Sequence, residues 1–213
     1  MSSGKKYVQK GDDSVERCWW GNGSEDYAAY HDNEWGYPVD DDYRLFEKIC
    51  LEGFQSGLSW ITILRKREGF RKAFKNFDFY KVADYSVKDV EKLLQNSAIV
   101  RHRGKIEATI NNAKCAIEIA KEYGSLAAYI WSFEPTTKEP HAGKKPAKFP
   151  SETKTSQRLS KELKKKGWKF FGPTTAYAFM QAMGLVNDHQ EGCFCFQKAI
   201  DLRKQFTPPT YTT

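Results

Sequence analysis

A chain of 213 residues with 40% hydrophobic content, 6 Trp, 11 Tyr and 14 Phe is long enough for one packed domain, or two small lobes sharing a core, and too apolar to remain disordered. Its formal net charge of +7 raises the local concentration of polyanions, of which nucleic acid is the first to consider. Five cysteines in no secreted spacing, and no apolar run long enough to span a bilayer, exclude a disulfide scaffold and a membrane protein and point to a reducing compartment, cytoplasm or nucleoid.

Residues 1–15 are polar and lack the apolar segment of a secretory signal, so a flexible tail is expected there. Glu16 to Pro38 is aromatic without helical periodicity, and reads as loop with one short helix near Asp26–Asp32. Leu45, Phe46, Ile49 and Cys50 then form an apolar stripe at helical spacing, and Ile61, Leu64, Phe70 and Phe74 form another. Ser86 with Asp89 predicts an N-cap for a helix carrying Val87, Val90, Leu93 and Leu94. Ile106, Ile110, Ala113, Ile117 and Ala120 mark a longer helix that Gly124 stops, and Ala127 to Phe133 a shorter one. Residues 135–154 hold four of the eight prolines and several lysines without a period, and read as a surface loop. A last helical pair runs from Thr155 through Leu159 and Leu163 to Gly167, and from Gly172-Pro173-Thr174 through Met180 to Gly184. Strand signals are almost absent and no repeat is detectable. The expected class is all-α: a helical domain over 16–197, with a C-terminal tail over 198–213.

Two stretches carry chemistry that composition alone does not explain. Cys18 and His31 stand near one end of the chain, and His189 and Cys193, four apart, near the other. Thiolate and imidazole are the ligands zinc prefers, four at a time, and His and Cys at that spacing sit on one turn. Four protein ligands leave no open position, so such a site is structural, and it ties the two ends of the domain together. Two buried thiols and two hydrogen-bonded imidazoles satisfy the same pattern without a metal, and Cys195 is a spare thiol able to stand in for Cys193. Cys50 and Cys115 lie on apolar helix faces and read as core.

The second stretch is Leu163-Lys164-Lys165-Lys166-Gly167-Trp168-Lys169-Phe170-Phe171-Gly172-Pro173-Thr174-Thr175-Ala176. A basic helix, a short apolar turn and a new helix with unpaired N–H groups are suited to holding phosphate without reading sequence. The stretch resembles the helix–hairpin–helix of base-excision glycosylases, with Gly172, Thr174 and Lys169 as the expected DNA-backbone contacts. Only Gly172 matches the two hairpin glycines of that motif, because Phe170 stands at the first. Arg101-His102-Arg103-Gly104-Lys105 is a further basic cluster, read either as a phosphate contact or as a solvated helix end.

An enzyme acting on a base in duplex DNA must extrude it into a pocket with aromatic faces and a few polar groups. Trp19, Trp20, Tyr27, Tyr30, Trp35 and Trp60 supply the faces, and Glu52 is a carboxylate in an otherwise apolar helix, where it needs a partner. Glu16-Arg17-Cys18-Trp19-Trp20, Tyr30-His31-Asp32-Asn33-Glu34-Trp35-Gly36, Cys50-Leu51-Glu52-Gly53, Gln55-Ser56-Gly57-Leu58-Ser59-Trp60 and Val186-Asn187-Asp188-His189 resemble the bacterial 3-methyladenine DNA glycosylase I family, in order from about Glu16 to Phe196.

The resemblance implies a helix–hairpin–helix glycosylase fold with a structural zinc held by Cys18, His31, His189 and Cys193. It implies a base pocket lined by Glu52, Tyr30 and Trp60, with Trp20, Tyr27 and Trp35 near it. It further implies a monomer that releases 3-methyladenine from alkylated double-stranded DNA. The chemistry is arguable independently. Methylation at N3 makes the purine cationic while it is attached to the sugar, so it leaves as a neutral molecule and strong acid catalysis is unnecessary. Indole faces suit a cationic ring, and Glu52 suits its exocyclic amine, first in recognition and second as a base for water. Many helix–hairpin–helix glycosylases carry an Asp where Asn187 stands here, beside Asp188. An amide cannot stabilise a sugar cation, so the range is expected to be confined to cationic lesions. A glycosylase–lyase requires a pocket lysine, and none is apparent in the sequence. A non-catalytic module would keep the hairpin and the aromatics and release no base.

Overall fold

Short polar side chains set most helix starts. Ser24, Asp41, Asp78, Ser86, Ser125 and Thr153 each accept a hydrogen bond from the backbone N–H three residues on, satisfying one of the amides that a first turn leaves unpaired. In the computed structural model, which describes residues 7–135 and 150–211, two short strands precede ten helices. The strands are β1 (Val8–Lys10) and β2 (Glu16–Cys18), and the helices are α1 (Glu25–Asn33), α2 (Asp42–Gln55), α3 (Trp60–Ala73), α4 (Phe79–Val82), α5 (Val87–Gln95), α6 (Arg103–Tyr123), α7 (Leu126–Trp131), α8 (Lys154–Lys165), α9 (Pro173–Ala182) and α10 (Cys195–Gln205). Among the described residues no helix is long and apolar enough to cross a membrane.

Helix α2 organises the core. Leu45, Phe46, Ile49, Leu51 and Phe54 are buried, and the helix packs against α3, α6, α7 and α9. Phe54, Phe70, Phe74 and Phe77 follow one another in ring contact at centroid spacings of 4.5 to 6.4 Å. Each such side chain contributes about 1.5–3 kcal/mol by leaving water. Helices α8 and α9 pack on each other as the expected last pair. In α3 the fully buried aliphatic is Ile63, with Ile61 and Leu64 only half-buried, because the apolar face of that helix is set by Phe70 rather than by its first turn.

Two elements lie where tails were expected. In the segment 1–15, Val8–Lys10 is a strand paired antiparallel with Glu16–Cys18, Val8 opposite Cys18. A three-residue strand is too short to show alternation, and this one is fixed by tertiary contacts: Trp19 N–H donates to the Tyr7 carbonyl, and Phe194 N–H to that of Glu16. Beyond 197 the chain continues as helix to Gln205, with Ala199 buried against Cys195 and Cys193 and Arg203 paired to Glu134. Most of the proline- and lysine-rich stretch expected as a surface loop, residues 136–149, and the first six residues lie outside the described residues.

Gly184 ends the last helical pair at φ +74, and a Cβ there would collide with the backbone of Tyr37 and Pro38. Gly184→Ala therefore combines a strained backbone with a contact that cannot relax by side-chain rotation. We expect a loss of about 2 kcal/mol or more in urea unfolding at pH 7; a change under about 0.5 kcal/mol, the range of surface substitutions, refutes the close approach.

Candidate metal centre, base cavity and hairpin

The ends of the domain meet at four buried side chains. Cys18 closes β2, His31 lies on α1, and His189 and Cys193 precede α10. Their donor atoms all lie within 4.8 Å of one another. Cys193 Sγ is 3.5 Å from His31 Nε2 and 3.8 Å from His189 Nδ1, and Cys18 Sγ is 3.8 Å from His189 Nδ1. A tetrahedron with metal–sulfur bonds of about 2.3 Å and metal–nitrogen bonds of about 2.0 Å has edges of about 3.3 to 3.8 Å, so the donor set fits a tetrahedral ion such as zinc. Outer hydrogen bonds leave the right ring nitrogens for it. His31 Nδ1 meets Asp32 Oδ1 at 2.8 Å, and His189 Nε2 meets the Trp35 carbonyl at 2.9 Å. Arg17 grips Asp32 at 2.7 to 3.0 Å, and its hydrogen bonds, with that of His31, outweigh burial and hold Asp32 below its ordinary range. Gln190 N–H donates to Cys18 Sγ at 3.3 Å. Cys195 is set apart, 3.9 Å from His31 Nδ1, the nitrogen already turned to Asp32.

The aromatic side chains rest on this centre. Trp20 packs edge-on to His31 at 5.0 Å, Trp35 to His189 at 4.8 Å, and the two indoles to each other at 5.0 Å. Gly36, at φ +84, permits this, since a Cβ there would lie 2.8 Å from His189 Nε2. In front of the indoles is a cavity of about 440 Å³, the size of a small-molecule site. Trp20, Tyr27, Tyr30, Trp35, Glu52 and Trp60, all expected at a base pocket, line it, and Cys18 and Trp19 reach it too. Tyr27 and Tyr30 come from α1, Glu52 from α2 and Trp60 from the first turn of α3. Burial first, and then the Glu52 carboxylate, push the Tyr30 phenol well above its ordinary range, so it stays protonated.

The sequence missed a buried lysine. Lys48 stands one turn before Glu52 on α2, with its Nζ 2.6 Å from Glu52 Oε1, 2.8 Å from the Tyr30 hydroxyl and 3.4 Å from the Trp60 ring centroid. The two side chains are 7% and 5% exposed. Burial lowers the Lys48 pKa, against the opposing pull of Glu52. The signal was the i, i+4 spacing of a Lys and a Glu inside an apolar helix. The lining also includes Tyr177 and Gln181 of α9 and Asp188. Asp188, 1% exposed, accepts hydrogen bonds from the Tyr177 hydroxyl and from Gln181 Nε2, whereas Asn187 is turned to the Phe196 carbonyl. A second carboxylate thus reaches the cavity one position after the amide that marked its expected place.

The hairpin is built as the sequence suggested, with one difference in kind. Phe170, where the motif has a glycine, takes that glycine's left-handed conformation, at φ +55, and its side chain is 44% exposed. Asparagines of α6 fasten the turn: Asn112 Oδ1 accepts from Lys169 N–H at 2.9 Å, Asn112 Nδ2 donates to the Lys169 carbonyl at 3.0 Å, and Asn111 Nδ2 to that of Gly167 at 2.8 Å. Gly172 is the N-cap of α9 and carries no side-chain cap, so the first amides of that helix face outward beside exposed Thr174 and Lys169. In the cluster 101–105 two members are spent internally: Lys105 donates to the carbonyls of Phe54 and Ser56, and Arg103 pairs with Glu91.

The methyladenine glycosylase family profile matches residues 19–196. DNA-3-methyladenine glycosylase 1 of Escherichia coli (strain K12) is 48% identical over 182 residues, 85% of this chain and 97% of that protein. A crystal structure of 3-methyladenine DNA glycosylase I superposes with a TM-score of 0.77 at 50% identity, over 84% of this chain and 98% of the other. Another, a variant in complex with 3-methyladenine, superposes with a TM-score of 0.78 at 33% identity, over 92% and 99%.

The Lys48–Glu52 pair makes a stability prediction that needs no substrate. Glu52→Ala strands a buried ammonium and should cost about 2 kcal/mol or more in urea unfolding at pH 7. Lys48→Met/Glu52→Ala should recover most of that loss; a double variant no more stable than the single one contradicts the pairing.

Proposed function

This chain belongs to the methyladenine glycosylase family, and on that premise we propose how it excises its base: a 3-methyladenine is swung out of alkylated double-stranded DNA into the aromatic cavity and its N-glycosidic bond is hydrolysed. The protein is a base-excision repair glycosylase and an N-glycosidase. The observation that carries the proposed mode is the cavity, which Tyr30, Trp20, Trp35 and Trp60 line together with the Glu52 carboxylate.

The electron-rich rings favour a cationic purine over neutral adenine. Glu52 accepts a hydrogen bond from the exocyclic amine, and the protonated Tyr30 hydroxyl lies within the same cluster. The glycosidic electron pair passes to the base, which departs neutral, and the positive charge moves to the sugar. A water oxygen bonds to the anomeric carbon and gives its proton to solvent. Glu52 and Asp188 favour positive charge in the cavity while this happens. Asp188 supplies the carboxylate that Asn187 lacks, so a restriction to cationic lesions rests on the aromatic cage rather than on a missing acid.

Zinc is the ion that Cys18, His31, His189 and Cys193 would hold, and with four protein ligands it supplies structure and no chemistry. The outward amides of Gly172 and Thr174 and the Lys169 ammonium take the DNA backbone. One chain provides the hairpin, the cage and the centre, which supports reading the enzyme as a monomer whose place in the cell follows its DNA. The ion pair also bears on lyase chemistry. Lys48 is a cation held between Glu52 and Tyr30, whereas a Schiff-base nucleophile must be a free neutral amine. With Lys48, the one lysine lining the cavity among the described residues, tied to Glu52 and Tyr30, we read the reaction as monofunctional.

Incubation with methylated duplex should release free 3-methyladenine, identified by chromatography. Glu52→Gln should slow that release by about tenfold to hundredfold while leaving duplex affinity within about twofold; equal release by the variant removes Glu52 from the reaction. Purified protein should contain one zinc per chain by elemental analysis. Cys193→Ala should lose it together with about 3 kcal/mol or more of stability, and Cys195→Ala should keep it; the reverse pattern assigns the fourth ligand to Cys195.

A further inference from the structure

Lys48 is in an expensive place. An i, i+4 pair on a solvated helix face contributes a few tenths of a kcal/mol, and a methionine would fill the same space without desolvating a charge. Yet this ammonium touches three of the groups expected to hold the base. It donates to one oxygen of Glu52, pairs with no other acid among the described residues, and lies over the face of Trp60 while donating to Tyr30. The other acids nearby are engaged elsewhere: Glu34 with Arg44 and Arg67, and Glu47 with Arg44 and Arg71. Asp188, which lines the same cavity, is held by Tyr177 and Gln181. Among the described residues, no side chain other than Lys48 is bonded to Glu52, and the remaining carboxylate oxygen belongs to a residue on the cavity wall.

We propose that Lys48 is a positioning residue of the base site: its ammonium fixes the Glu52 carboxylate by one oxygen, braces the Trp60 and Tyr30 rings, and leaves the other oxygen to the flipped base. This rests on the glycosylase reading of the cavity. A structural ion pair alone would affect stability and leave the chemistry of the folded enzyme unaltered. A positioning pair couples the two residues in the excision step, because Lys48 acts there only through Glu52.

The test is a cycle of the full-length enzyme, Lys48→Met, Glu52→Gln and the double variant, with single-turnover release of 3-methyladenine from methylated duplex and duplex affinity measured separately. Lys48→Met is expected to slow release by about tenfold or more with affinity within about twofold, and to slow Glu52→Gln no further. Release by Lys48→Met within twofold of the parent, or the same slowing in both backgrounds, overturns the proposal. If Lys48→Met fails to fold, Glu52→Gln against the double variant, in which neither charge is stranded, decides alone: equal rates support coupling and a further tenfold loss refutes it. A parent enzyme that releases no 3-methyladenine overturns the reading of the reaction itself, and the role of Lys48 with it; an active parent with an unaffected Lys48→Met overturns only the latter.

Discussion

Everything in the site leans on the meeting of Cys18, His31, His189 and Cys193. The partners Cys18 and His189 are 171 positions apart, so bringing them together costs a large closure entropy that the interactions at this meeting point must offset. The same contact supports the cavity. Trp20 stands on one imidazole and Trp35 on the other, and the Trp35 carbonyl in turn orients the ring that supports it. The wall of the base cavity and the fastening of the fold are therefore one piece of structure, and a disturbance of either histidine reaches the substrate side through a single ring contact.

The second organising element is α2. Its apolar side chains belong to the core, and Lys48 and Glu52, one turn apart on it, are charged, buried and paired. Around it runs a chain of ion pairs through Arg67, Glu34, Arg44, Glu47 and Arg71 that joins α2 to α3. Half-buried and mutually connected, these groups hold the α2–α3 corner where Glu52 and Trp60 project together. At the opposite side the asparagines of α6 hold the hairpin by its own backbone groups, which allows a phenylalanine to occupy a glycine's conformation there without the turn opening.

What was legible in the sequence and what was not separates along the range of the interactions involved. Helices with a polar cap and a periodic face, such as the one that Ser86 and Asp89 begin, declare themselves locally, and so did the last pair, ended by Gly167 and Gly184. The aromatics and Glu52 were readable because their chemistry is unusual for their surroundings and because whole blocks of sequence resembled a known family. The strand at Val8–Lys10 was unreadable because three residues carry no period and their partners are distant in sequence. Helix α10 was taken for a tail because its burial depends on Cys193, Cys195 and β1, which no local pattern reveals. Lys48 was missed because a lysine in a helix is ordinarily a solvated one. Which of Cys193 and Cys195 lies nearer the other three donors is a matter of geometry that no local pattern reveals, since the two thiols differ in which nitrogen of His31 they approach.

The order in which the chain leaves the ribosome gives the long-range clasp a temporal meaning. Domains fold from the N-terminus as they emerge, and α1 to α9 precede both His189 and Cys193. A nascent or prematurely terminated chain possesses the helices and the hairpin, and Trp20 on His31, before Trp35 has the His189 imidazole against which it packs. The cavity wall at Trp35 is thus among the last parts of this fold to be completed as the chain is made, and a product truncated before His189 lacks the ring that backs that indole.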